Sequence, residues 1–419
     1  MNLPLKRVVV TGLGALTPLG NTLPAYWDGL VNGVSGADFI TQFDVTKFKT
    51  KFACELKGFK PEDFMEKKEA RKLDRFSQIA VVSADEAVRQ SGLHTSKINP
   101  DRIGVIWASG IGGMITFIEE MKGFCSGDGT PRFNPFFIPK LILDIASGHI
   151  SMKYGFRGPN FATVSACASS TNALIDAFNY IRLGKADAII TGGSEAVVTE
   201  AGIGGFNAMK ALSERNDDPK TASRPFDKDR DGFVLGEGGA AIVLEELEHA
   251  KNRGAVILAE MAGGGLSADA YHLTAPHPEG LGVINVMRNA LDDAQMKPED
   301  IDYINVHGTS TPLGDIAELL AIQKVFGEHA YKLNISATKS MTGHLLGGAG
   351  AIEAVATIMA MMHDIVPPTI NHFTDDPEID PKLNLTFHKA QPRNIRAALS
   401  NTFGFGGHNA SVVFKKYEE

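Results

Sequence analysis

Cysteine is scarce in this chain, which has three cysteines among 419 residues. Cys54, Cys125 and Cys167 are odd in number and far apart, so they fit neither a disulfide framework nor a zinc motif. The sequence also contains no His-Glu-x-x-His and no paired Cys-x-x-Cys. These absences predict a protein of a reducing compartment, the cytoplasm, that binds no metal.

Basic charge is not in surplus, because 41 Lys and Arg stand against 49 Asp and Glu and the net charge is -8. Proteins that bind nucleic acid generally need a basic surplus, since every phosphate is negative. The sequence therefore predicts no nucleic-acid partner. A local basic patch for one acidic protein partner remains compatible with this composition.

Long apolar runs are missing as well. The run at residues 8–10 is short and is soon interrupted by Gly12. The most apolar later segment, residues 349–362, carries Glu353 and is too short to cross a bilayer. We therefore predict neither a signal peptide nor a membrane span, and the 43% hydrophobic content predicts a globular protein with a sizeable core.

Glycine is abundant instead, with 44 residues, and much of it follows short β-branched runs. Such runs occupy residues 8–12, 103–110 and 188–193, and segments with helical periodicity lie between them, as at 77–91 and 170–183. Buried strands that alternate with helices predict an α/β protein with a mostly parallel sheet.

The chain resembles itself at four places that occur in the same order in both parts. The matched pairs are residues 6–12 with 256–263, 103–110 with 303–308, 164–169 with 335–340, and 236–244 with 404–414. We infer a duplicated α/β unit with an N-terminal half at residues 1–254 and a C-terminal half at 255–419. Cys167 and Thr338 are then equivalent, which predicts that their loops face each other.

Cys167 lies in a cluster of small residues between a predicted strand at 161–164 and a predicted helix that begins near Thr171. A sulfur at such a turn is close to unpaired helix N-terminal amides, which predicts a lowered thiol pKa and a nucleophile. The alternative is a buried structural cysteine, the role we assign to Cys54 and Cys125.

Two histidines lie in loops rich in glycine and hydroxyl groups, His307 at the end of a predicted strand and His344 before a predicted buried helix. His307 begins His-Gly-Thr-Ser-Thr-Pro, and His344 ends Lys339-Ser-Met-Thr-Gly-His. The self-comparison brings both histidines and Lys339 into the neighbourhood of Cys167. The glycine loops at 236–239 and 404–407 precede strands rather than helices, so they predict no nucleotide site. In the second loop, Phe405 is the one large side chain.

Five motifs together carry a family resemblance. They are Ser165-Ala-Cys-Ala-Ser, Arg224-Pro-Phe-Asp-Lys-Asp-Arg-Asp-Gly-Phe-Val-Leu-Gly-Glu-Gly, His307-Gly-Thr-Ser-Thr-Pro, Lys339-Ser-Met-Thr-Gly-His and Asn401-Thr-Phe-Gly-Phe-Gly-Gly. Over nearly its whole length the chain resembles the β-ketoacyl-acyl carrier protein synthases of the thiolase-like superfamily, synthase II type. The resemblance implies a five-layered αβαβα fold with internal pseudo-twofold symmetry, a homodimer, and no cofactor beyond the phosphopantetheine arm of acyl carrier protein.

The resemblance also implies the reaction and its residues. The Cys167 thiolate takes an acyl group from acyl carrier protein, with the amides of Cys167 and Phe405 as the oxyanion hole. Malonyl carrier protein then loses carbon dioxide, and His307 and His344 stabilise the enolate that attacks the acyl-enzyme. Lys339 orients and polarises the site together with Glu353.

Other positions match the family's substrate contacts. Thr309 and Thr311 match positions that bind the phosphopantetheine arm. Ile111 matches a pocket residue that moves for longer acyl chains, and Phe405 matches a gate beside a second gating loop at 269–274. The predicted substrate-binding residues are Thr309, Thr311, Ile111, Phe403 and Thr274. Those predicted to dock the carrier protein are Lys68, Arg71, Lys72 and Lys210, and the alternative for residues 66–72 is a solvated helix face.

Related types of enzyme and subunit are alternatives, and some of them differ from this sequence at single positions. Synthase I and polyketide ketosynthases share the triad and remain alternatives. A thiolase proper needs a second cysteine after Cys167, and a synthase III or plant-type enzyme carries asparagine at the position of His344. A non-catalytic subunit of the chain-length-factor kind loses the nucleophile, whereas Cys167 is present here.

Overall fold

The computed structural model describes residues 5–418. Its strands are β1 Val8–Leu16, β2 Asp38–Phe39, β3 Phe52–Ala53, β4 Ile103–Ala108, β5 Asn160–Thr163, β6 Ala188–Glu195, β7 Gly238–Glu246, β8 Ala259–Ala268, β9 Tyr303–Asn305, β10 Asn334–Ser336, β11 Ile365–Val366, β12 Gln391–Pro392, β13 Ala397–Gly404 and β14 His408–Lys415. The α-helices are α1 Leu23–Val31, α2 Lys67–Ala70, α3 Arg75–Ser91, α4 Met114–Ser126, α5 Phe137–Leu141, α6 Ile145–Tyr154, α7 Ser169–Arg182, α8 Glu200–Ala208, α9 Leu247–Asn252, α10 Leu281–Ala294, α11 Pro312–Phe326, α12 Lys339–Thr342 and α13 Ala349–His363. Short 3-10 turns occupy Pro61–Asp63, Pro100–Arg102, Pro219–Thr221, Pro298–Asp300, Gly327–Lys332 and Leu346–Gly348.

The large strands form two groups of five with the same internal order. The hydrogen-bonded order is β10-β9-β13-β14-β8-β1-β7-β6-β4-β5, and the two groups meet at a three-residue pairing of β1 with β8. Read outward from this junction, each group contains its first, fifth, fourth, second and third large strand in chain order. The four self-matches in the sequence pair β1 with β8, β4 with β9, the turn after β5 with the turn after β10, and β7 with β14.

The sheet is mixed, so the prediction of a mostly parallel sheet is wrong. In each half the second, third and fourth large strands are parallel, as β4 is to β5 and β6, and β9 is to β10 and β13. The fifth large strand runs antiparallel to both of its neighbours, the first and the fourth, because the chain returns along the same sheet. In the second half this return is a hairpin, in which Gly406 and Gly407 adopt positive φ between β13 and β14.

Five layers follow from the helix contacts. Helices α7 and α13 contact both groups of strands and each other, so they form the middle layer. Helices α3 and α6 cover the outer face of the first group, and α10, with α11 packed on it, covers the second. This is the predicted αβαβα arrangement. The predicted boundary at 254/255 falls between α9 and β8 and stays a prediction.

The middle layer contains the most apolar helical segment of residues 5–418. Leu346–His363 is long and apolar enough by length and composition to cross a membrane, with a mean hydropathy of 1.3. The prediction that this stretch is too short is therefore wrong. The segment is 89% buried inside the protein, as is typical of a core helix.

Glycines let a helix approach the first strand of each half closely. A Cβ at Gly14 in β1 would lie 2.1 Å from the carbonyl oxygen of Ser83 in α3. A Cβ at Gly265 in β8 would lie 2.3 Å from the carbonyl oxygen of Val286 in α10. The same close contact of strand and helix thus recurs in both halves.

We expect Gly14→Ala to lower the free energy of unfolding by about 2 kcal/mol or more, because neither the strand nor the helix backbone can yield to the added methyl group. Urea denaturation measures this change. Gly123→Ala is the matched control, since a Cβ there would meet no atom within 4 Å. It lies within α4 and should leave stability unchanged or raise it by about 0.5 kcal/mol. Equal stability of the two variants would contradict the packing argument.

Candidate active site

The predicted site residues follow the carboxyl ends of parallel strands. Cys167 comes after β5 and Ile111 after β4, whereas His307 comes after β9 and Lys339 after β10. Because the two halves face each other across the middle layer, these loops from both halves converge. They enclose one cavity of about 620 Å³.

Ten of the predicted residues line this cavity. They are Ile111, Cys167, Lys210, Thr274, His307, Thr309, Thr311, His344, Phe403 and Phe405. Lys339 and Glu353 are buried behind the lining. Lys68, Arg71 and Lys72 lie on α2 or directly after it, away from the lining.

The turn that carries Cys167 is held by its own hydrogen bonds. Ala166 has a φ of 50°, a conformation unusual for a residue with a side chain. The Ser169 hydroxyl donates to the Ala166 carbonyl at 2.6 Å and accepts from the Ser165 amide at 2.9 Å. These bonds hold the strained residue in place and set Cys167 just before the first turn of α7.

The main-chain amides of Cys167 and Phe405 both favour the thiolate and so act to lower the pKa of the Cys167 thiol. Burial nevertheless raises the pKa of the Cys167 thiol to about 12, against the opposing effects of Lys339 and these amides. The expected lowering of the pKa is therefore wrong, because loss of hydration outweighs the helix terminus. Cys54 is buried as predicted, whereas Cys125 is exposed and is not a buried structural residue.

The two histidine rings meet edge to face. Their centroids are 5.3 Å apart and their planes are inclined by 89°. Phe403 packs on His307 at 5.5 Å, and Phe233 packs on His344 at 5.3 Å. Burial and the nearby Lys339 ammonium lower the pKa of both histidines well below the usual value, so both are neutral at neutral pH. Neither Nδ1 atom has a hydrogen-bond partner among the described residues.

Lys339 is a fully buried ammonium. Its Nζ donates to Oε1 of Glu353, which comes from α13 and is also fully buried. Burial raises the pKa of the Glu353 carboxyl to about 7, although Lys339 acts in the opposite direction. The Lys339 charge influences Cys167 and both histidines, so it lies near all three.

Sequence reasoning did not single out Glu318, which holds the His307 loop. Its carboxylate accepts hydrogen bonds from the amides of His307 and Gly308, both at 2.9 Å, and from Nδ2 of Asn401 at 3.2 Å. Burial raises the pKa of this carboxyl to about 7. The available signal was an acidic pair, Asp315 and Glu318, one helical turn apart in the first half of helix α11 and both buried.

The substrate-binding predictions fall along the cavity. The Thr309 and Thr311 hydroxyls lie 3.1 Å apart. The 269–274 loop is hydrogen-bonded to the β13–β14 hairpin, because the Gly406 amide donates to the Leu273 carbonyl at 2.7 Å and the Asp269 amide donates to the Gly407 carbonyl at 2.9 Å. The two loops predicted to act as gates are thus directly connected.

Comparison with known proteins agrees with this geometry. Residues 5–250 match the family "Beta-ketoacyl synthase, N-terminal domain", and residues 258–373 match "Beta-ketoacyl synthase, C-terminal domain". The proteins named 3-oxoacyl-[acyl-carrier-protein] synthase 2 from Synechocystis sp. and Staphylococcus aureus are 49% and 51% identical over 417 and 413 residues. The alignment covers 100% of this chain and of the Synechocystis relative, and 99% of both chains for the Staphylococcus one.

Solved structures of ketosynthases are also similar to this chain. A β-ketoacyl synthase from Burkholderia phymatum has a TM-score of 0.91 at 35% identity, covering 99% of this chain and 100% of its own. A ketosynthase complex with a type II polyketide acyl carrier protein gives a TM-score of 0.91 at 33% identity over the same shares. With the converging loops of its two halves, the chain belongs to the β-ketoacyl synthase family.

Proposed function

We propose that this protein is an acyltransferase that condenses malonyl-acyl carrier protein with an acyl group held on Cys167 and thereby elongates fatty acids by two carbons. The observation that carries this proposal is the convergence of Cys167, His307 and His344 on one cavity. The chain is about 50% identical, over nearly its full length, to proteins named 3-oxoacyl-[acyl-carrier-protein] synthase 2. This similarity favours fatty-acid elongation over polyketide synthesis.

In the first half-reaction the Cys167 sulfur attacks the thioester carbonyl of the acyl carrier protein. The bond to the carrier sulfur breaks, and the thiol proton leaves with the carrier thiol. The two amides near the sulfur, those of Cys167 and Phe405, are suited to stabilise the oxyanion that forms in between. The raised thiol pKa means that the proton has to leave as the attack proceeds, rather than beforehand.

In the second half-reaction the malonyl group loses its carboxylate as carbon dioxide, and the electron pair remains as an enolate. His307 and His344 are neutral and buried, so each can present an N–H group to the thioester oxygen as it becomes negative. The enolate carbon then attacks the acyl-enzyme carbonyl, and the Cys167 sulfur leaves and recovers a proton.

Lys339 supplies the fixed positive charge of the site and Glu353 holds it in place. The Lys339 ammonium opposes protonation of both histidines, which keeps them neutral for the decarboxylation. Glu318 positions His307 by binding the main chain on either side of its carbonyl. We assign Lys339 an electrostatic role and Glu353 a supporting one.

The remaining cavity residues are placed to bind the phosphopantetheine arm and the acyl chain of the substrates. Thr309 and Thr311 present paired hydroxyls to a phosphopantetheine arm, and Thr274 lies in the loop tied to the hairpin. Phe403 packs on His307 and Phe405 follows it in the hairpin. Ile111 lines the acyl end of the cavity.

Acyl carrier protein is the proposed partner. Lys68 and Arg71 are exposed, Lys72 pairs with Glu69 at 2.7 Å, and Lys210 is exposed beside the cavity. These charges offer an acidic carrier protein a local basic surface on a chain of net charge -8. The comparison structure of a ketosynthase with its acyl carrier protein supports this assignment.

We also propose a homodimer. Strand β5 lies at the end of the sheet order, where its outer edge can pair with a second copy. Large apolar side chains are exposed near it and in the α4–α6 region: Phe117, Phe133, Phe136, Ile138, Ile142, Met152 and Val164. A second copy that covers these residues would remove them from water. Light scattering that gives the mass of a single chain would contradict this.

No metal or cofactor is needed in the proposed chemistry, because the thioester activates the acyl group and decarboxylation supplies the carbanion. No group of three or more His, Cys, Asp or Glu suited to a metal occurs among residues 5–418. We place the protein in the cytoplasm, where its three free cysteines would stay reduced.

The proposal is tested by mixing the protein with hexadecanoyl- or shorter acyl-acyl carrier protein and malonyl-acyl carrier protein. We expect carbon dioxide and a β-ketoacyl carrier protein two carbons longer, identified by intact mass. Loading of acyl groups without any condensed product would contradict the proposed condensation, and absence of both loading and product would favour a binding subunit.

The control separates docking from chemistry. In Lys68→Glu/Arg71→Glu, we expect KM for carrier-bound acyl groups to rise by about tenfold at low salt. Loading from the same acyl group on coenzyme A should not change, because the cavity is untouched. An equal loss with both donors would contradict the docking assignment and leave the condensing activity in place.

A further inference from the structure

Glu195 is a fully buried carboxylate at the end of β6. No salt bridge joins it to a basic residue of the described chain. Moving a carboxylate out of water is unfavourable unless hydrogen bonds replace its hydration. The partners of Glu195 therefore indicate what this residue is kept for.

The Glu195 carboxylate binds two loops at once. Its Oε1 accepts from the Ser109 hydroxyl at 2.8 Å and from the Ile111 amide at 3.2 Å. Its Oε2 accepts from the Gly110 amide at 2.7 Å and from the Gly347 amide at 3.0 Å. All four donors point at one side chain, three from the loop after β4 and one from the loop after His344.

Both loops contribute apolar side chains to the cavity lining beside Cys167. The first carries Ile111 and the second carries Leu346, the residue before Gly347. Ile111 and Leu346 also belong to one apolar cluster, together with Cys167. A single carboxylate thus holds the main chain beneath two of the side chains that face the acyl group.

The two loops are in such close contact that no atom could be added between them. A Cβ at Gly347 would lie 2.1 Å from the amide nitrogen of Gly110 and 2.9 Å from Oε2 of Glu195. The Ser109 hydroxyl also accepts from the Gly112 amide at 3.0 Å, which extends the held segment by one residue. With the backbone fixed in this way, a longer acyl chain can be accommodated only by rotation of side chains such as Ile111.

We propose that Glu195 is a positioning residue that sets the acyl-chain length accepted at Cys167, by fixing the main chain of the Ile111 and Leu346 loops. The inference rests on the proposed function, because it concerns the acyl group loaded in the first half-reaction. Release of these loops would let Ile111 withdraw together with its backbone. Loading of long acyl chains on Cys167 would then become faster relative to loading of short ones.

The decisive variant is Glu195→Gln. Its amide keeps one oxygen acceptor, but in either orientation its NH₂ group would face at least one main-chain N–H donor, that of Ile111 or those of Gly110 and Gly347, so one side of the clamp is weakened. We expect the ratio of tetradecanoyl to hexanoyl loading rates on Cys167 to rise by about fivefold, the scale of discrimination by apolar pockets. Intact-protein mass spectrometry with each acyl carrier protein measures the two rates.

Glu86→Gln is the matched control. Glu86 also accepts two main-chain amides, from Ala15 and Leu23, both at 2.9 Å, but it does not line the cavity. Burial raises the pKa of both carboxyls. Glu86→Gln should therefore share any general destabilisation and keep the wild-type ratio.

Ser109→Ala gives a second, milder variant if Glu195→Gln does not fold. It removes one donor to Glu195 and the acceptor for Gly112, and the ratio should rise by about twofold in the same direction. An unchanged or falling ratio in the folded variants, or an equal rise in Glu86→Gln, would overturn the inference and leave the condensing function intact. Failure of the wild type to load any acyl group would overturn the proposed function, and this inference with it.

Discussion

Cys167→Ala is expected to abolish acyl transfer, with a loss of at least about a thousandfold in the loading rate. Cys167 supplies the one thiol of the described lining, and the main-chain amides of Cys167 and Phe405 favour its thiolate. Removing it takes away the covalent acceptor and leaves those amides in place. Intact-protein mass after mixing with an acyl carrier protein thioester should show added acyl mass on the wild type alone.

The variant should fold normally. Replacing a thiol by a hydrogen atom leaves a very small cavity, so the loss of stability should stay near about 1 kcal/mol. Cys125→Ala is the matched control, because Cys125 is exposed and is not part of the cavity lining. It should load at the wild-type rate. Acylation of Cys167→Ala at that same rate would require a different acceptor and a different mechanism.

Lys339→Met is expected to impair both stability and catalysis. The substitution leaves Glu353 buried without its ammonium partner, which costs about 3 kcal/mol for pairs of this kind. Decarboxylation should fall by at least about a hundredfold, because the site loses its fixed positive charge. Urea denaturation and release of carbon dioxide from malonyl carrier protein measure the two effects separately.

The pH dependence gives the sign of the Glu353 contribution. The pKa of Glu353 is raised to about 7 in the folded protein, so the folded state binds a proton that the unfolded state has already released. Stability from this group is therefore lost as pH rises from the unfolded pKa through the folded one. Without Lys339 the folded pKa rises further, and the variant should lose stability more steeply than the wild type between about pH 7 and pH 9.

A double variant separates the two roles. Lys339→Met/Glu353→Gln removes the buried charge as well as its partner, so stability should recover and the extra pH slope should vanish. Activity should stay low. Lys153→Met, which breaks the partly exposed pair with Asp85, should lower stability slightly and leave activity unchanged. Wild-type decarboxylation by Lys339→Met would contradict the electrostatic role.

The proposed nucleophile and His307 were readable from the sequence because each stands in a loop directly after a strand, and His344 because it ends a motif rich in glycine and hydroxyl groups. The four internal matches put those loops in equivalent places, and the observed strand order is the same in both halves. Local patterns could not give the direction of the fifth strand in each half, β7 and β14, since a strand buried on both faces reads as an apolar run in either direction. The mixed sheet was missed for that reason.

The sequence by itself determined the duplicated architecture, the family and the residues proposed to carry the chemistry, because strand, turn and motif signals are local. Only the tertiary structure decided the charge states of the site residues and the hydrogen bonds that hold the loops of the site in place. The Cys167 thiol is buried enough for desolvation to outweigh its helix terminus, and Glu318 and Glu195 each bind a partner from a distant part of the chain, Asn401 and Gly347. Burial and hydrogen bonding between distant segments arise from packing, so no local pattern encodes them.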